Sequence, residues 1–316
     1  VKTGEENLMG RGIPKEYYEI IPHLMIKQQI ENYKKTGSGE VLDFPWERNF
    51  YSGHIFRLDR FYFIPYKFED PFTLYRNKKT GKVTGIYDKG YAVSNDGQVI
   101  ADESLLKEPA FITDKTVEDG VITGNYMNTC GIISENKVSL LDGEVKAALN
   151  KGDLLLALHI PGGEGYTPAK LKSSMEMALR FYEKYFPEYD IKGFWSESWL
   201  YDPRLSLLLS ESSNIVSVQR RFYRYSIGGN GAMLRREVWG DEKADVKAAP
   251  KETSLQKKAA EVIMAGDDFA TTSMIVLKEE VPVIEEKEPY IREEDVIEFK
   301  EVMSKIWKNS YIKGGN

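Results

Sequence analysis

The sequence predicts an α+β or α/β fold in which an antiparallel, β-rich part precedes a mixed sheet flanked by helices. Three observations carry this reading. Residues 53–140 hold short aromatic and β-branched runs separated by Gly-containing turns, the pattern of consecutive hairpins. Leu154–Ile160 is an unbroken apolar run of strand length, suited to a strand covered on both faces. An amphipathic helix pattern follows it directly, and a second strand follows the helix, which makes a parallel neighbour pair.

In chain order, a polar opening leads through Gly12-Ile13-Pro14 into a helical stretch, Lys15–Tyr33. Tyr18, Ile21, Met25, Ile26 and Ile30 keep near-helical spacing there, and Pro22 implies a kink or two shorter helices. A second helix is expected at Pro45–Tyr51. Strands begin near His54, with Ile55–Tyr66 dense in Phe, Tyr and Ile. Hairpins are expected at 72–87, at 91–100 and around Asp119-Gly120. After the Leu154–Ile160 strand, Thr167 is a suitable N-cap and Pro168 suits the first turn of a helix running to Tyr185. Its buried stripe is Leu171, Ser174, Met175, Ala178, Leu179, Phe181 and Tyr182. Lys192–Trp199 reads as the next strand, Asp202-Pro203 caps a leucine-rich helix ending near Leu209, and Asn214–Tyr225 reads as a third strand. A helix is expected at 254–265. Glu279–Glu294 reads as an acidic linker, and 295–308 as a final amphipathic helix. The parts are thus 1–52 (helical), 53–140 (antiparallel β), 141–275 (mixed sheet and helices) and 276–316 (linker and terminal helix).

Charge and composition exclude several classes. The 43 basic and 49 acidic residues leave a net charge of −6, so no cationic surplus is available to neutralise a phosphate backbone. A nucleic-acid partner is not expected. The single cysteine, Cys130, forbids an internal disulfide or a cysteine-based zinc cluster, and its Thr-Cys-Gly setting has no histidine nearby to activate it. The three histidines, His23, His54 and His159, are too dispersed for a local metal-ligand pair, so no metal is expected. No apolar run approaches the roughly 18 residues of a membrane span. A cytoplasmic location, with no membrane partner, is the expectation. The chain opens on Val1, which points to a preceding N-terminal piece.

Two segments could carry chemistry. The first is Ile160-Pro161-Gly162-Gly163-Glu164-Gly165-Tyr166-Thr167. A strand that ends in glycines and feeds a helix offers free N–H groups and the positive end of the helix dipole to a phosphate or pyrophosphate. The spacing matches neither the dinucleotide fingerprint nor a Walker loop. An ordinary tight turn would use the same glycines, and Glu164 places a carboxylate among them. The second is Trp195-Ser196-Glu197-Ser198-Trp199, with Tyr201 and Asp202 behind it, at the carboxyl end of a strand where open α/β sheets bind ligands. Alternation sends Trp195, Glu197 and Trp199 to one face and Ser196 and Ser198 to the other. Glu197 between two indoles would have a raised pKa suited to a general base; the alternative is a structural pair with Arg220 or Arg221. His159 has the unperturbed pKa of a proton carrier, though a buried strand histidine is commonly structural.

These residues resemble a bacterial family of predicted acyltransferases that join an N-acyltransferase N-terminal domain to a GNAT-like C-terminal domain. The resemblance lies in Leu158-His159-Ile160-Pro161-Gly162-Gly163, in Ser173, Ala178 and Phe181, and in Phe186-Pro187. It continues through Ser198-Trp199-Leu200, Asp202-Pro203, Leu205, Ser213-Asn214-Ile215, Gln219-Arg220-Arg221-Phe222 and Thr253-Ser254-Leu255-Gln256. Earlier, Arg11-Gly12-Ile13-Pro14, Gly53–Leu58 and Arg60-Phe61-Tyr62-Phe63 agree as well. It spans about residues 11–275, and the longer helical N-terminal stretch of that family is missing.

The resemblance implies a GNAT-like fold in which a central strand splays from its neighbour, acyl-CoA (acetyl-CoA or a longer donor) enters the gap, and the following loop holds the pyrophosphate. Ile160, Gly162, Gly163, Gly165, Tyr166 and Thr167 are then the co-substrate-binding residues. Ile160 stands where such loops carry Gln or Arg. The implied activity is acyl transfer from acyl-CoA to an amine or similar small-molecule acceptor. Glu197 is the candidate base, His159 the reserve and Tyr201 the candidate acid. The competing expectation is a catalytically inactive GNAT-like module that binds a ligand or a protein.

Overall fold

A computed structural model of the protein describes residues 2–18, 52–101, 109–163 and 165–306, with short pieces at 26–27, 29–30, 33–34, 37 and 48–49. The helices expected at Lys15–Tyr33 and Pro45–Tyr51 fall largely outside these residues; a 3-10 turn at Lys15–Tyr17 is described. The polar opening is itself a helix, α1 (Lys2–Gly10), anchored by buried Leu8.

The strands follow as β1 (Phe56–Leu58), β2 (Phe61–Lys67), β3 (Phe72–Asn77), β4 (Val83–Tyr87), β5 (Ala92–Val93), β6 (Phe111–Ile112), β7 (Lys115–Glu118), β8 (Val121–Asn128), β9 (Ile132–Leu141), β10 (Val145–Leu149) and β11 (Leu154–His159). Then come α2 (Pro168–Tyr185), β12 (Ile191–Ser198), α3 (Leu205–Leu208), α4 (Asn214–Gln219), β13 (Tyr223–Ser226), α5 (Ala232–Trp239), α6 (Ser254–Met264), β14 (Thr272–Leu277) and α7 (Glu293–Ile306). The expected hairpins at β3–β4 and β7–β8 form. At 91–100 the chain makes only a Val93–Val99 bridge, because β5 takes its strand partner from β6.

Two sheets result. The first has the order β1-β2-β11-β12-β14-β13, with β11 and β12 parallel and the other neighbours antiparallel. It joins β1 and β2, from 53–140, to strands of 141–275, so those two parts share one sheet. The second runs β10-β3-β4-β8-β7, with β9 also on β8.

As expected, the Leu154 strand lies inside its sheet. Leu156 and Leu158 pack under α2 with Leu171, Met175, Ala178 and Phe181. Leu155 turns the other way, into a core shared with Phe72, Leu74 and Met127 of the second sheet. The helix starts where its cap dictates: Thr167 Oγ1 accepts from Lys170 N, and Pro168 opens the first turn.

Two readings of the second half are corrected, and one strand is added to them. Asn214–Tyr225 is not one strand. Ser213 caps α4 by accepting from Val216 N, and only Tyr223–Ser226 is extended. The β-branched Ile215, Val216 and Val218 favour a strand locally, but the cap and the packing of Val216, Val218 and Gln219 override that preference. Thr272–Leu277 is a fully buried strand that its mixed polar and apolar sequence did not announce, and it is held from both sides by β12 and β13. The acidic stretch before α7 is no free linker. Lys278–Val283 forms a 3-10 turn, Val281, Ile284 and Tyr290 are buried, and Tyr290 OH accepts from Leu277 N at 2.8 Å.

Tyr223 ties the sheets together. Its buried hydroxyl accepts from Gly85 N at 2.8 Å and donates to Met127 O at 2.6 Å. Tyr223→Phe strands both backbone groups away from water and should cost on the order of 2 kcal/mol, read as a lower urea midpoint with unchanged slope.

Candidate active site

The parallel pair β11–β12 holds only to Ala157 opposite Trp195. Beyond that, β11 continues with β2, Leu158 facing Phe63 and His159 facing Tyr62. β12 instead continues with β14, as far as Ser198 opposite Thr272. The two central strands therefore part at their carboxyl ends, where the resemblance places a splay. Side chains take over where the ladder stops. Ser196 Oγ donates to Leu158 O at 2.7 Å, and Tyr201 OH donates to Ser196 Oγ at 2.9 Å. Tyr201 is fully buried, which raises its pKa. The Tyr166 hydroxyl lies buried beside it and makes no well-aligned hydrogen bond.

The glycine loop rises above this point. Gly163 and Gly165 have φ of +103° and +91°, conformations that side chains other than glycine rarely adopt. Arg60, from the β1–β2 turn, reaches into the loop. Its Nη2 donates to Pro161 O at 2.7 Å and to Gly163 O at 3.0 Å, while its own N–H binds Ser174 Oγ at 3.1 Å. With carbonyls drawn inward to Arg60, the N–H groups of Gly162, Gly163, Gly165, Tyr166 and Thr167 make no hydrogen bond among the described residues. Ile160 packs against the core beneath. Glu164 lies outside the described residues.

Glu197 and His159 share the face turned away from α2, by strand alternation from Leu155 and Trp195, which belong to the second core. Tyr201 and Ser196 lie on the α2 side, so the structure divides the three catalytic candidates between the two faces. Trp195 stacks on Tyr66, with centroids 4.2 Å apart and 13° between planes. Its Nε1 donates to Tyr225 OH at 2.7 Å, and Tyr225 OH in turn donates to Asp70. Trp199 does not flank Glu197 as expected. It begins a 3-10 turn and packs with the cluster of α3, α5 and α6.

Neither does Glu197 pair with Arg220 or Arg221. Glu288 takes Arg220, at 2.7 Å, and lies 3.8 Å from Arg221. Glu197 is an exposed residue overall, yet burial of its carboxyl end and the charge of Asp70 raise its pKa. Burial also raises Asp70, against the lowering effect of its Tyr225 and Trp195 hydrogen bonds. Tyr66 is pushed up to about 12 by burial and by the charges of Asp70, Glu197 and Glu69. Opposite Glu197 on β14, the buried Ser273 hydroxyl has no hydrogen-bond partner among the described residues. No cation pairs with Glu197 or Asp70 among the described residues. Burial lowers His159 to about 4, so it is neutral at neutral pH.

Tyr66, Asp70 and Tyr225 line this region without any signal in the sequence, whereas Ser196 lay in the second candidate segment and Arg60 among the residues of the resemblance. Among the described residues no three His, Cys, Asp or Glu side chains group to hold a metal, and no helix is long and apolar enough to cross a membrane.

Residues 55–275 match the family described as the GNAT-like C-terminal domain. The chain matches no curated protein. Among solved structures it is similar to an acyltransferase in complex with decanoyl-CoA, with TM-score 0.53 and 17% identity over 86% of this chain and 61% of that one. A mutant acyltransferase in complex with octanoyl-CoA gives 0.54 and 16%, over 87% and 62%. An acyltransferase in complex with decanoyl-CoA and teicoplanin gives 0.52 and 17%, over 86% and 62%. This chain thus spans about six tenths of the length of those structures.

His159 makes the site's protonation measurable. Its folded pKa near 4 lies below the ordinary 6.5, so only the unfolded chain takes up the proton as pH falls through 6.5. The stability this group contributes is complete above pH 6.5 and lost as pH falls toward 4, a total of about 3 kcal/mol. The stability difference between the parent and His159→Gln should change by that amount in urea titrations at pH 7 and pH 4. Their difference cancels the titration of the carboxylates.

Proposed function

Because the chain belongs to the GNAT-like C-terminal domain family, we propose that it is an acyltransferase that moves an acyl group from acyl-CoA to an amine or a similar small-molecule acceptor. One observation carries the reading: β11 and β12 part below a loop whose N–H groups are unused. A pyrophosphate needs such N–H groups at a helix N-terminus, and a pantetheine arm needs a gap between strands. The residues therefore fit the co-substrate, with Gly162, Gly163, Gly165, Tyr166 and Thr167 at the diphosphate and the parted strand ends at the thioester. The decanoyl-CoA and octanoyl-CoA held by the similar structures support acyl-CoA as donor.

Acyl-CoA supplies an activated thioester carbonyl. The acceptor nitrogen forms the new C–N bond, the C–S bond breaks, the amine loses a proton and the sulfur gains one. Glu197 is assigned the proton from the acceptor, since its raised pKa makes it a stronger base than an ordinary carboxylate. His159, neutral and on the same face, is the reserve. Tyr201 is assigned the proton for sulfur: its hydroxyl stands at the parting of the strands, and burial keeps it protonated. The acceptor is read as an amine because Glu197 and Asp70 present negative charge beside the Tyr66–Trp195 stack and pair with no cation among the described residues, and ammonium groups bind to such carboxylates and aromatic faces. The net charge of −6 also suits a cationic acceptor better than a nucleic acid.

A binding module without turnover is favoured by one feature. Ser196 already satisfies the Leu158 carbonyl at the gap, so the strand end is partly closed.

Calorimetric titration with acetyl-, octanoyl- and decanoyl-CoA tests donor binding, and release of free CoA thiol in the presence of amines tests transfer. Gly163→Val strains a backbone with φ of +103° but meets no neighbour within 4 Å. It should weaken donor binding at least about tenfold while the protein stays folded. Glu197→Gln should lower turnover about 10²- to 10⁴-fold and leave stability within about 0.5 kcal/mol, since no partner is lost. Binding without thiol release would leave the module reading, and unchanged turnover in Glu197→Gln would remove that residue from the chemistry.

A further inference from the structure

Arg224 lies on β13, well away from the glycine loop, and is fully buried. Its Nη1 donates to Gln219 Oε1 at 3.1 Å, its guanidinium lies within reach of the Cys130 thiol, and its Nε is buried without a hydrogen-bonded oxygen among the described residues. Among the described residues no carboxylate forms an ion pair with it. Asp202, the buried carboxylate of this region, is already engaged. It accepts from Arg204 Nε at 2.9 and 3.2 Å, from Arg204 N at 2.9 Å and from Ala270 N at 2.6 Å. A guanidinium does not shed its proton, and a buried charge without a counter-ion is strongly unfavourable. Cys130, the neighbour across the bridge to Arg224, does not supply the charge, because burial pushes its thiol pKa up.

A cavity of about 60 Å³ opens beside Arg224. Arg220 and Lys300 bring two more cations to its wall, and Glu211 one carboxylate. Arg220 is neutralised by Glu288 at 2.7 Å. What remains is a net positive wall under an apolar cover of Val296 and Phe299 from α7.

We propose that this cavity is a binding site for one small monovalent anion of halide size, held by Arg224. The charge of Glu211 disfavours a multiply charged ion. The volume disfavours anything larger: roughly 10–15 Å³ admits a single water on this measure, so the space holds a halide and a few waters, not a nucleotide. The cover from α7 lies beyond the 55–275 span that matches the family, whereas Arg224, Arg220 and Glu211 lie within it. Arg224 itself donates to Gln219 Oε1, and Gln219 Nε2 donates to Leu200 O at 2.6 Å and to Asp202 O at 3.0 Å, on either side of Tyr201. The proposal does not depend on acyl transfer.

The test is thermal melting of the whole chain at constant ionic strength, with chloride or bromide exchanged for gluconate, which is too large for the cavity. Melting should rise saturably with halide, by about 3 °C at tenfold over half-saturation, and Arg224→Met should abolish the rise. Equal melting in halide and gluconate, or an undiminished rise in Arg224→Met, overturns the proposal. Should that variant not fold, bromide-soaked crystals of the parent decide. An anomalous peak beside Arg224 Nε is expected, and its absence overturns the site.

Discussion

The strand Leu154–His159 must be buried on both faces, and the remainder of the structure is arranged around that requirement. Leu155, Leu156 and Leu158 project alternately to the two sides, and each buried leucine is worth about 2 kcal/mol relative to water. One layer cannot cover both. The helix Pro168–Tyr185 supplies Leu171, Met175 and Phe181 on one side. The other side is covered by a second sheet through Phe72, Leu74 and Met127. That is why the β-rich first half and the strand–helix–strand second half share a core instead of forming separate bodies.

The same strand sets the chemistry at its end. It keeps β2 as a partner to its last residue but loses β12 after Ala157. A parting of central strands exposes backbone groups that must find partners or cost free energy. Ser196 and Tyr201 meet that need on the helix side, through the Leu158 carbonyl. On the opposite side the strand ends carry Glu197 and His159, beside the Tyr66–Trp195 stack and Asp70. One face is therefore a closed hydrogen-bond relay and the other an open, negatively charged aromatic surface. This division puts Tyr201 and Ser196 on one face of the parted strands and Glu197 and His159 on the other.

The C-terminal part shows how far polar groups can hold an element in place. The helix Glu293–Ile306 buries Asp295, whose Oδ2 accepts from Thr129 N at 3.0 Å and from Thr129 Oγ1 at 2.7 Å. Glu298 accepts from Tyr126 at 2.6 Å and Asn128 at 2.8 Å. Phe299 and Met303 then pack beside Cys130 and Ile132. Asp295 Oδ2 and Glu298 meet donors on β8, β9 and the turn between them, while Asp295 Oδ1 is buried without a hydrogen-bond partner among the described residues.

The elements legible in the sequence were those whose local rules agree with their burial. Thr167, Pro168 and the stripe from Leu171 to Tyr182 specify their helix without reference to anything else, as Thr253 and Gln256 do for the helix at 254–264 through a capping box. The apolar run at 154–159 determined a doubly covered strand, and Gly163 and Gly165 determined a loop that only glycine can make. Other features were settled only in three dimensions. Thr272–Leu277 is a strand because two neighbours offer it a ladder, and Asn214–Gln219 is a helix because its buried side needs that spacing against β-branched preference. Glu197 could be placed on a strand face from alternation alone, but its company could not. Asp70, held by Tyr225, acts on it from a loop distant in sequence, and Glu288 takes the arginines that local reading had paired with it. Periodicity and caps act between residues a few positions apart, whereas charge pairing and burial depend on which distant segments meet, and that only the packed chain decides.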